Sequence, residues 1–494
     1  MPTFLEFLTA LAAIFLLFYL YVTRYVFTYF KRKGIPYLEP SFPLGNSQSL
    51  LRGEKTISLI FKDFYDQLKA KGARYGGYFM ITKKSLMLVD PEVIRWILVK
   101  DFKHFVDRGT YVNEEDDPLS ANMFNLEGQK WKAIRSKLSP TFTSGKMKYM
   151  FDTVVKCSEP FEEYLEGYVT GKNPVDIKTV FTSYTVDVIG SCAFGLDCNT
   201  FKDKDHKFLK YSFKAISKIN PLKVLILMGI PSLAKKLHMR LTSKDVEEFF
   251  FDLIKKTVAF RRDTNTTRKD FMQLLLELLE SNKVNINEMT SEALLFFNAG
   301  FETSSTTGTF CLYELAKNPE VQDRLREEVH EMLENNNGQV TYEGVQEMKY
   351  LAQVIDETLR KYPPLGFLNR MVVSDYKIPD TDIVLEKGFS ILISTYSLQH
   401  DPEFYPEPDK FDPDRFSEEN KRNIVPFTYM PFGDGPRNCI GMRFGIMQTK
   451  IGLIGLLRNH KYTLNSKTLT PLTFDAKRPL LSPVGGIWLN VEKV

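Results

Sequence analysis

The chain of 494 residues has 65 basic and 61 acidic side chains, a net charge of +4 with histidine neutral, and is 43% hydrophobic and 26% charged. Such a composition excludes a disordered or fibrous polymer, and the near balance of charge excludes wholesale nucleic-acid binding. Five cysteines (Cys157, Cys192, Cys198, Cys311, Cys439), odd in number and without a C-x-x-C pair, exclude a disulfide framework or zinc cluster and fit a reducing compartment.

The first element is apolar. Phe7 to Val22 reads FLTALAAIFLLFYLYV and, continued through Val26 and Phe27, supplies about one bilayer span. Glu6 precedes it and Lys31, Arg32 and Lys33 follow, which places the bulk of the chain on the cytosolic side. A cleaved secretory signal carries its positive charge ahead of the apolar run and ends in small residues; this run ends in aromatics and KRK. Pro36, Pro40 and Pro43 then make a stiff, non-helical linker. The expected organisation is an anchor over 1–30, a basic and proline-rich linker over 31–45, and one domain over 46–494 without repeats.

Within that domain, Tyr78–Ile81 and Ser85–Val89 are short apolar runs joined by Thr82, Lys83 and Lys84, a hairpin pattern, and Pro91 opens a helix. GQKWKAIRSKLSPTF sets Trp131 and Arg135 one helical turn apart, with Lys130, Lys132 and Lys137 making the remaining face basic. By default that is a solvated charge run. AGFETSSTT, from Ala299, lies in a long apolar stretch where Glu302 is the only carboxylate or base between Glu292 and Glu314, and hydroxyl residues crowd after it. A charge in lipid is costly, so an interior helix lining a site explains the stretch better than a membrane span.

NPEVQDRLREEVHEML reads as a helix capped by Asn318, begun at Pro319 and stopped by Gly338, with Val321, Leu325 and Val329 on one face. In ETLRKYPP, Glu357 and Arg360 are helix-face neighbours ahead of the terminating Pro363 and Pro364; such a pair, if exposed, is worth tenths of a kcal/mol. Strand-like pieces follow at Ile391–Ile393 and Gly486–Leu489, so the balance is mainly α with a minor β part.

The stretch PFGDGPRNCIGMRFG holds a lone cysteine in a glycine-rich loop. Cys439 lacks the companions of a zinc site but suits the single axial thiolate of a haem. Gly433 and Gly435 allow turns that free amides to point at the sulfur, and Ile440, Phe444, Met447 and Ile451 recur at helical spacing, so the cysteine stands near a helix N-terminus that favours a thiolate. For an arbitrary cysteine, a buried structural role is the ordinary account.

Phe432-x-x-Gly435-x-Arg437-x-Cys439-x-Gly441 resembles the haem-binding signature of the cytochrome P450 family in full. The resemblance extends in order along nearly the whole chain, and DYKIPDTDIVLEKG and SPVGGIWLN look most like insect microsomal members that metabolise xenobiotics. It implies the cytochrome P450 fold, a helical domain with small sheets behind an N-terminal transmembrane helix. It also implies haem b bound through Cys439, with Phe432 and Gly441 in the binding loop and Trp131, Arg135, Arg370 and Arg437 at the propionates. Ala299, Gly300, Glu302 and Thr303 match the oxygen-binding helix, where acid and threonine deliver protons. Glu357, Arg360 and Arg415 match a buried structural triad that holds the cysteine loop. The implied reaction is insertion of one atom of O2 into a lipophilic small molecule, with electrons from NADPH through NADPH-cytochrome P450 reductase and with cytochrome b5 as a further donor. The donor would dock on the basic face together with Arg443 and Lys450. The implied place is the endoplasmic reticulum membrane, catalytic domain on the cytosolic face. The pocket would be lined by the loop Phe102–Phe124, Phe297, Phe301, Leu365–Leu368 and the turn near Val484. A haem-thiolate isomerase or dehydratase, or a non-catalytic haem sensor, shares the fold and the cysteine.

Overall fold

The computed structural model describes residues 4–203, 206–215, 220–268 and 270–494. Helix α1 (Phe4–Tyr21) exposes its apolar side chains along its whole length. Water opposes such a surface and a bilayer accepts it; the stretch Phe4–Arg32 is long and apolar enough to cross a membrane. Residues on both sides of the expected boundary at residue 30 pack into the body. Val22, Phe27 and Phe30 are buried, as are Ile35 and Leu38 in the linker. Short helix α2 (Tyr29–Arg32) sets the Phe30 ring against Phe79 and Phe389 of the first sheet region. The prolines keep the following chain extended, which lets it lie along a strand: the Leu38 amide donates to Gly77 O at 2.9 Å and the Gly77 amide to Pro36 O at 2.7 Å. Phe42 then packs edge-on against Phe15, Phe18 and Tyr19 of α1, so the anchor is clasped to the body.

Strands β1 (Tyr75–Met80) and β2 (Lys83–Leu88) form the hairpin, with Tyr78 opposite Ser85. Its turn is shorter than the sequence suggested, because Ile81 leaves the strand at φ 55 and Lys83 and Lys84 join β2. Strands β3 (Leu368–Met371) and β4 (Ser390–Ile393) complete this sheet: β4 runs parallel to β2 and antiparallel to β3, which sets Arg370 opposite Ile391. A second sheet pairs β5 (His460–Leu464) with β6 (Trp488–Lys493), and Val175–Asp176 borders β6. Strand β6 starts two residues later than Gly486, since Gly485 and Gly486 take φ +78 and +79 and form the preceding turn.

The remainder is largely helical. The helices that build the site are α3 (Gly128–Leu138), α4 (Ser144–Ser158), α5 (Ile177–Ile189), α6 (Phe271–Glu280), α7 (Ile286–Lys317), α8 (Pro319–Asn335), α9 (Lys349–Lys361) and α10 (Met442–Leu457). At 32 residues α7 crosses the interior, buried from Ser304 to Ala316, so it is a core helix and not a span. Its start carries a capping box between Asn285 and Glu288. At Gly308 an added Cβ would fall 2.3 Å from the Phe181 ring, so glycine is what lets α7 and α5 cross closely. Asn318 does not cap α8: its side-chain amide donates to Glu314 O at 2.8 Å, satisfying the end of α7, because the two helices abut without a loop.

Candidate active site: a cavity floored by Cys439

The loop before α10 is fixed by close approach. Gly433 and Gly435 take φ +69 and +70, and a Cβ at Gly435 would lie 2.1 Å from the Leu98 carbonyl oxygen, so no other residue fits there. The Cys439 amide donates to Phe432 O at 2.8 Å and closes the loop, with Gly441 as the N-cap of α10. The amides of Gly433 and Gly435 are themselves engaged away from the sulfur. They donate to Met430 O and to the Asp434 carboxylate, and Gly441 supplies the amide at Cys439. Burial lifts the thiol pKa above its ordinary value; that amide and the charges of Arg135 and Arg108 pull against the rise without cancelling it.

The sulfur opens on a cavity of about 390 Å³ whose lining is mostly apolar. Facing it from α7 are Phe296, Ala299, Gly300, Thr303 and Thr307, one stripe of the helix. Phe297 and Phe301 do not line it; they are buried on another side of α7, where Phe297 packs against Phe208 and Phe250. A step of one residue turns a helix by about 100°, which moves a side chain off the stripe. From the loop 102–124 the lining takes Arg108, Met123 and Phe124, and from the segment after α9 it takes Leu365 and Leu368; Val484 is an exposed surface residue.

Guanidinium groups gather at one edge of this cavity. Arg135 holds Asn438 through its carbonyl and side-chain oxygens, both at 2.9 Å. Arg437 donates to Val106 O and Leu126 O at 2.7 Å, and its Cζ lies 4.2 Å from the Trp131 ring centroid. Arg108, which the sequence reading passed over, donates to Arg437 O and stands so near Arg370, Arg437 and Arg135 that desolvation and their charges push its pKa well down. Burial pushes Arg370 to about 10, and desolvation with the Arg370 charge pushes Arg437 to about 9. Asp107, 3.7 Å from Arg437, is the acid paired with this group. Arg370 does not line the cavity, and its buried Nε has no acceptor among the described residues. Four guanidinium charges set against the carboxylates of Asp107 and Glu127 leave an excess of positive charge that a ligand with two carboxylates would offset, and a haem carries two propionates.

Thr303 and Glu302 part company. The Thr303 hydroxyl donates to Ala299 O at 2.6 Å, so its proton is used within α7 and its oxygen offers lone pairs to the cavity. Glu302 points away: its carboxylate is 3.2 Å from Lys178 Nζ at the start of α5, and that ammonium also donates to Ser305 Oγ at 2.9 Å and Thr306 Oγ1 at 3.0 Å. Gln448 is a second residue missed in the sequence. From α10 its Nε2 donates to Gly300 O at 2.7 Å and to Ser304 Oγ, tying the cysteine helix to α7 beside the cavity. A lone amide among Phe444, Met447 and Ile451 was the available signal.

Behind the loop, Glu357 and Arg360 form a fully buried bidentate pair at 2.7 and 2.9 Å, not an exposed one. Arg415 approaches the same carboxylate at 3.5 Å. Arg360 donates onward to Gln399 O at 2.8 Å, and the Gln399 side-chain oxygen accepts the Met430 amide at 3.2 Å, which ties the pair to the chain entering the cysteine loop.

Glu292 is a buried acid on α7. One oxygen accepts the Met123 amide at 2.7 Å, the other has no partner among the described residues, and desolvation pushes its pKa up to about 8 from 4.5. A carboxyl whose folded pKa is raised keeps its proton in the native state after the unfolded chain has lost it. Stability therefore falls as pH rises from 4.5 towards 8, by up to about 1.4 kcal/mol per unit. Glu292→Gln keeps the acceptor for Met123 and cannot ionise, so its melting temperature should match the parent near pH 4.5 and exceed it increasingly up to pH 8. Parallel melting curves across that range would refute the assignment.

A family model described as Cytochrome P450 matches residues 40–489. Among curated proteins, "Probable cytochrome P450 6a23" of Drosophila melanogaster is 41% identical over 498 aligned residues, covering 99% of each chain. "Cytochrome P450 6a8" of the same species is 42% identical over 506, covering 100% of this chain and 99% of the relative, and "Cytochrome P450 6a2" is 40% identical over 97% of both. With the cysteine loop, its arginine ring and the α7 stripe in the arrangement described, the chain belongs to the cytochrome P450 family and is a monooxygenase of its insect branch.

Proposed function

We propose that this monooxygenase sits on the cytosolic face of the endoplasmic reticulum and oxygenates lipophilic xenobiotics such as plant toxins or insecticides, with electrons from NADPH passed by NADPH-cytochrome P450 reductase. The observation that carries the reading is the Cys439 sulfur, open on the floor of a largely apolar cavity edged by arginines. Haem b would be held by Cys439 at its iron, with Arg108, Arg135, Arg370 and Arg437 toward its carboxylates and Trp131 beside them; bound there, it supplies the activation of O2. The protein's own part is to shape and protonate. Apolar walls select lipophilic molecules and exclude water. The Thr303 oxygen, with its proton committed to Ala299, is placed to hold a water that donates protons into the cavity, and Glu302 acts through the proton network around Lys178.

Lys132 and Arg443 are exposed and suit an acidic electron donor, reductase or cytochrome b5. Lys130 is engaged by Glu114 at 2.7 Å, and Lys450 leaves the docking set because it is buried, donating to Val345 O and Met348 O. Exposed Leu222, Leu233 and Leu237 offer an apolar contact for the bilayer in addition to α1.

Thr303→Ala tests the reading. It should leave haem and substrate binding intact while diverting reducing equivalents to peroxide, by roughly a hundredfold in peroxide formed per substrate oxidised, the lower end of a general acid–base contribution. Unchanged coupling would remove the threonine from the proton path, and turnover without NADPH and reductase would mark an isomerase instead.

A further inference from the structure

The cavity does not end at the α7 stripe. It continues past Phe142 and Phe296, between α4 and α6, along Met150, Ala193 and Leu274, and its lining includes the exposed residues Lys146, Arg268 and Glu277. The lining thus runs from Cys439 to side chains on the molecular surface on that side, with the Phe142 and Phe296 rings between the two ends. Two possible doors differ in what closes them. Toward the apolar surface around Leu233 and Leu237, the loop after Val106 is latched by hydrogen bonds: the Asp117 carboxylate accepts the amides of Leu241 and Thr242 at 2.8 and 2.9 Å, and Tyr111 Oη donates to Met239 O at 2.7 Å. Opening there breaks buried polar contacts, each costly to leave unmade. Toward α4 and α6 the closure is made of rings: Phe142 and Phe296 stack at 4.9 Å and 10°, with Phe271 against both. The frame around those rings is fixed, since Asp270 caps α6 and is held by the buried Arg261 guanidinium at 2.8 Å. Rotating a ring within a fixed frame costs no hydrogen bond.

We propose that the space between α4 and α6 is a passage joining the cavity to water, gated by Phe142 and Phe296, and that it admits and releases neutral, largely apolar molecules about one aromatic ring wide. Its apolar walls suit such molecules, and the Lys146, Arg268 and Glu277 mouth faces water, which favours departure of a product made more polar by oxygenation. The proposal rests on the haem-chamber reading of the cavity; the reduced-CO spectrum of each loaded variant checks that reading separately.

The test is stopped-flow binding and release of 4-phenylimidazole, followed by the Soret shift of the ferric protein. Leu274→Trp narrows the passage away from the floor and should slow association and dissociation by the same factor, about tenfold, leaving Kd unchanged, because an obstruction on a route alters both directions equally. Phe142→Ala removes a gate ring and should speed both. Rates unchanged in both variants would show that the molecule travels elsewhere, and a changed Kd with unchanged association would show local packing only; either overturns the proposal. A variant without the thiolate-type CO spectrum would instead count against the chamber itself.

Discussion

Cys439→Ser is expected to abolish monooxygenation outright, with substrate turnover falling to background, while the polypeptide still folds. The loop is held by the Cys439 amide on Phe432 O and by a glycine pressed against Leu98, and neither depends on sulfur. What serine lacks is a thiolate: its alcohol stays protonated, so neither the Gly441 amide nor the Arg135 and Arg108 charges have an anion to stabilise. The loss should therefore appear in turnover and in the CO spectrum, with little change in circular dichroism. Activity surviving in the serine variant would place the metal ligand elsewhere.

The second large effect is expected from Arg360→Ala. It strips the Glu357 carboxylate of its bidentate partner at a site with no exposure, and it removes the donor to Gln399 O and Pro408 O. Breaking one side of a buried pair costs about 3–5 kcal/mol, a large share of the total stability of a folded domain. The variant should accumulate poorly, and what is purified should melt well below the parent and hold less haem, since Gln399 also steadies the Met430 amide. A parent-like melting temperature would mean that the pair is dispensable. Glu357→Gln, which keeps the shape and strands the Arg360 charge, separates lost packing from lost pairing.

The parts of this site that could be read from the chain are those written in short spacing. Gly435, Arg437 and Cys439 sit within one loop, and Glu357 and Arg360 within one turn, so local geometry alone brings them together. What escaped depends on direction or on distant partners. Glu302 and Thr303 are adjacent, yet one faces Lys178 and the other the cavity; the choice is set by α5, which is remote in sequence. The same rotation put Phe296 on the wall where Phe297 and Phe301 were expected. Lys450 read as a surface charge because nothing nearby in sequence reveals the carbonyls of Val345 and Met348 that bury it. Likewise Phe30 looks like the end of an anchor until Phe79 and Phe389 are seen around it.

Fold class, cysteine loop and family agree, and the remaining weight rests on the bond between Cys439 and iron. The reduced, CO-bound spectrum of the unmutated protein measures that bond directly. Thiolate ligation predicts the strongly red-shifted Soret band that gives the family its name. A band at the position typical of histidine ligation, in freshly prepared and folded protein, would contradict it.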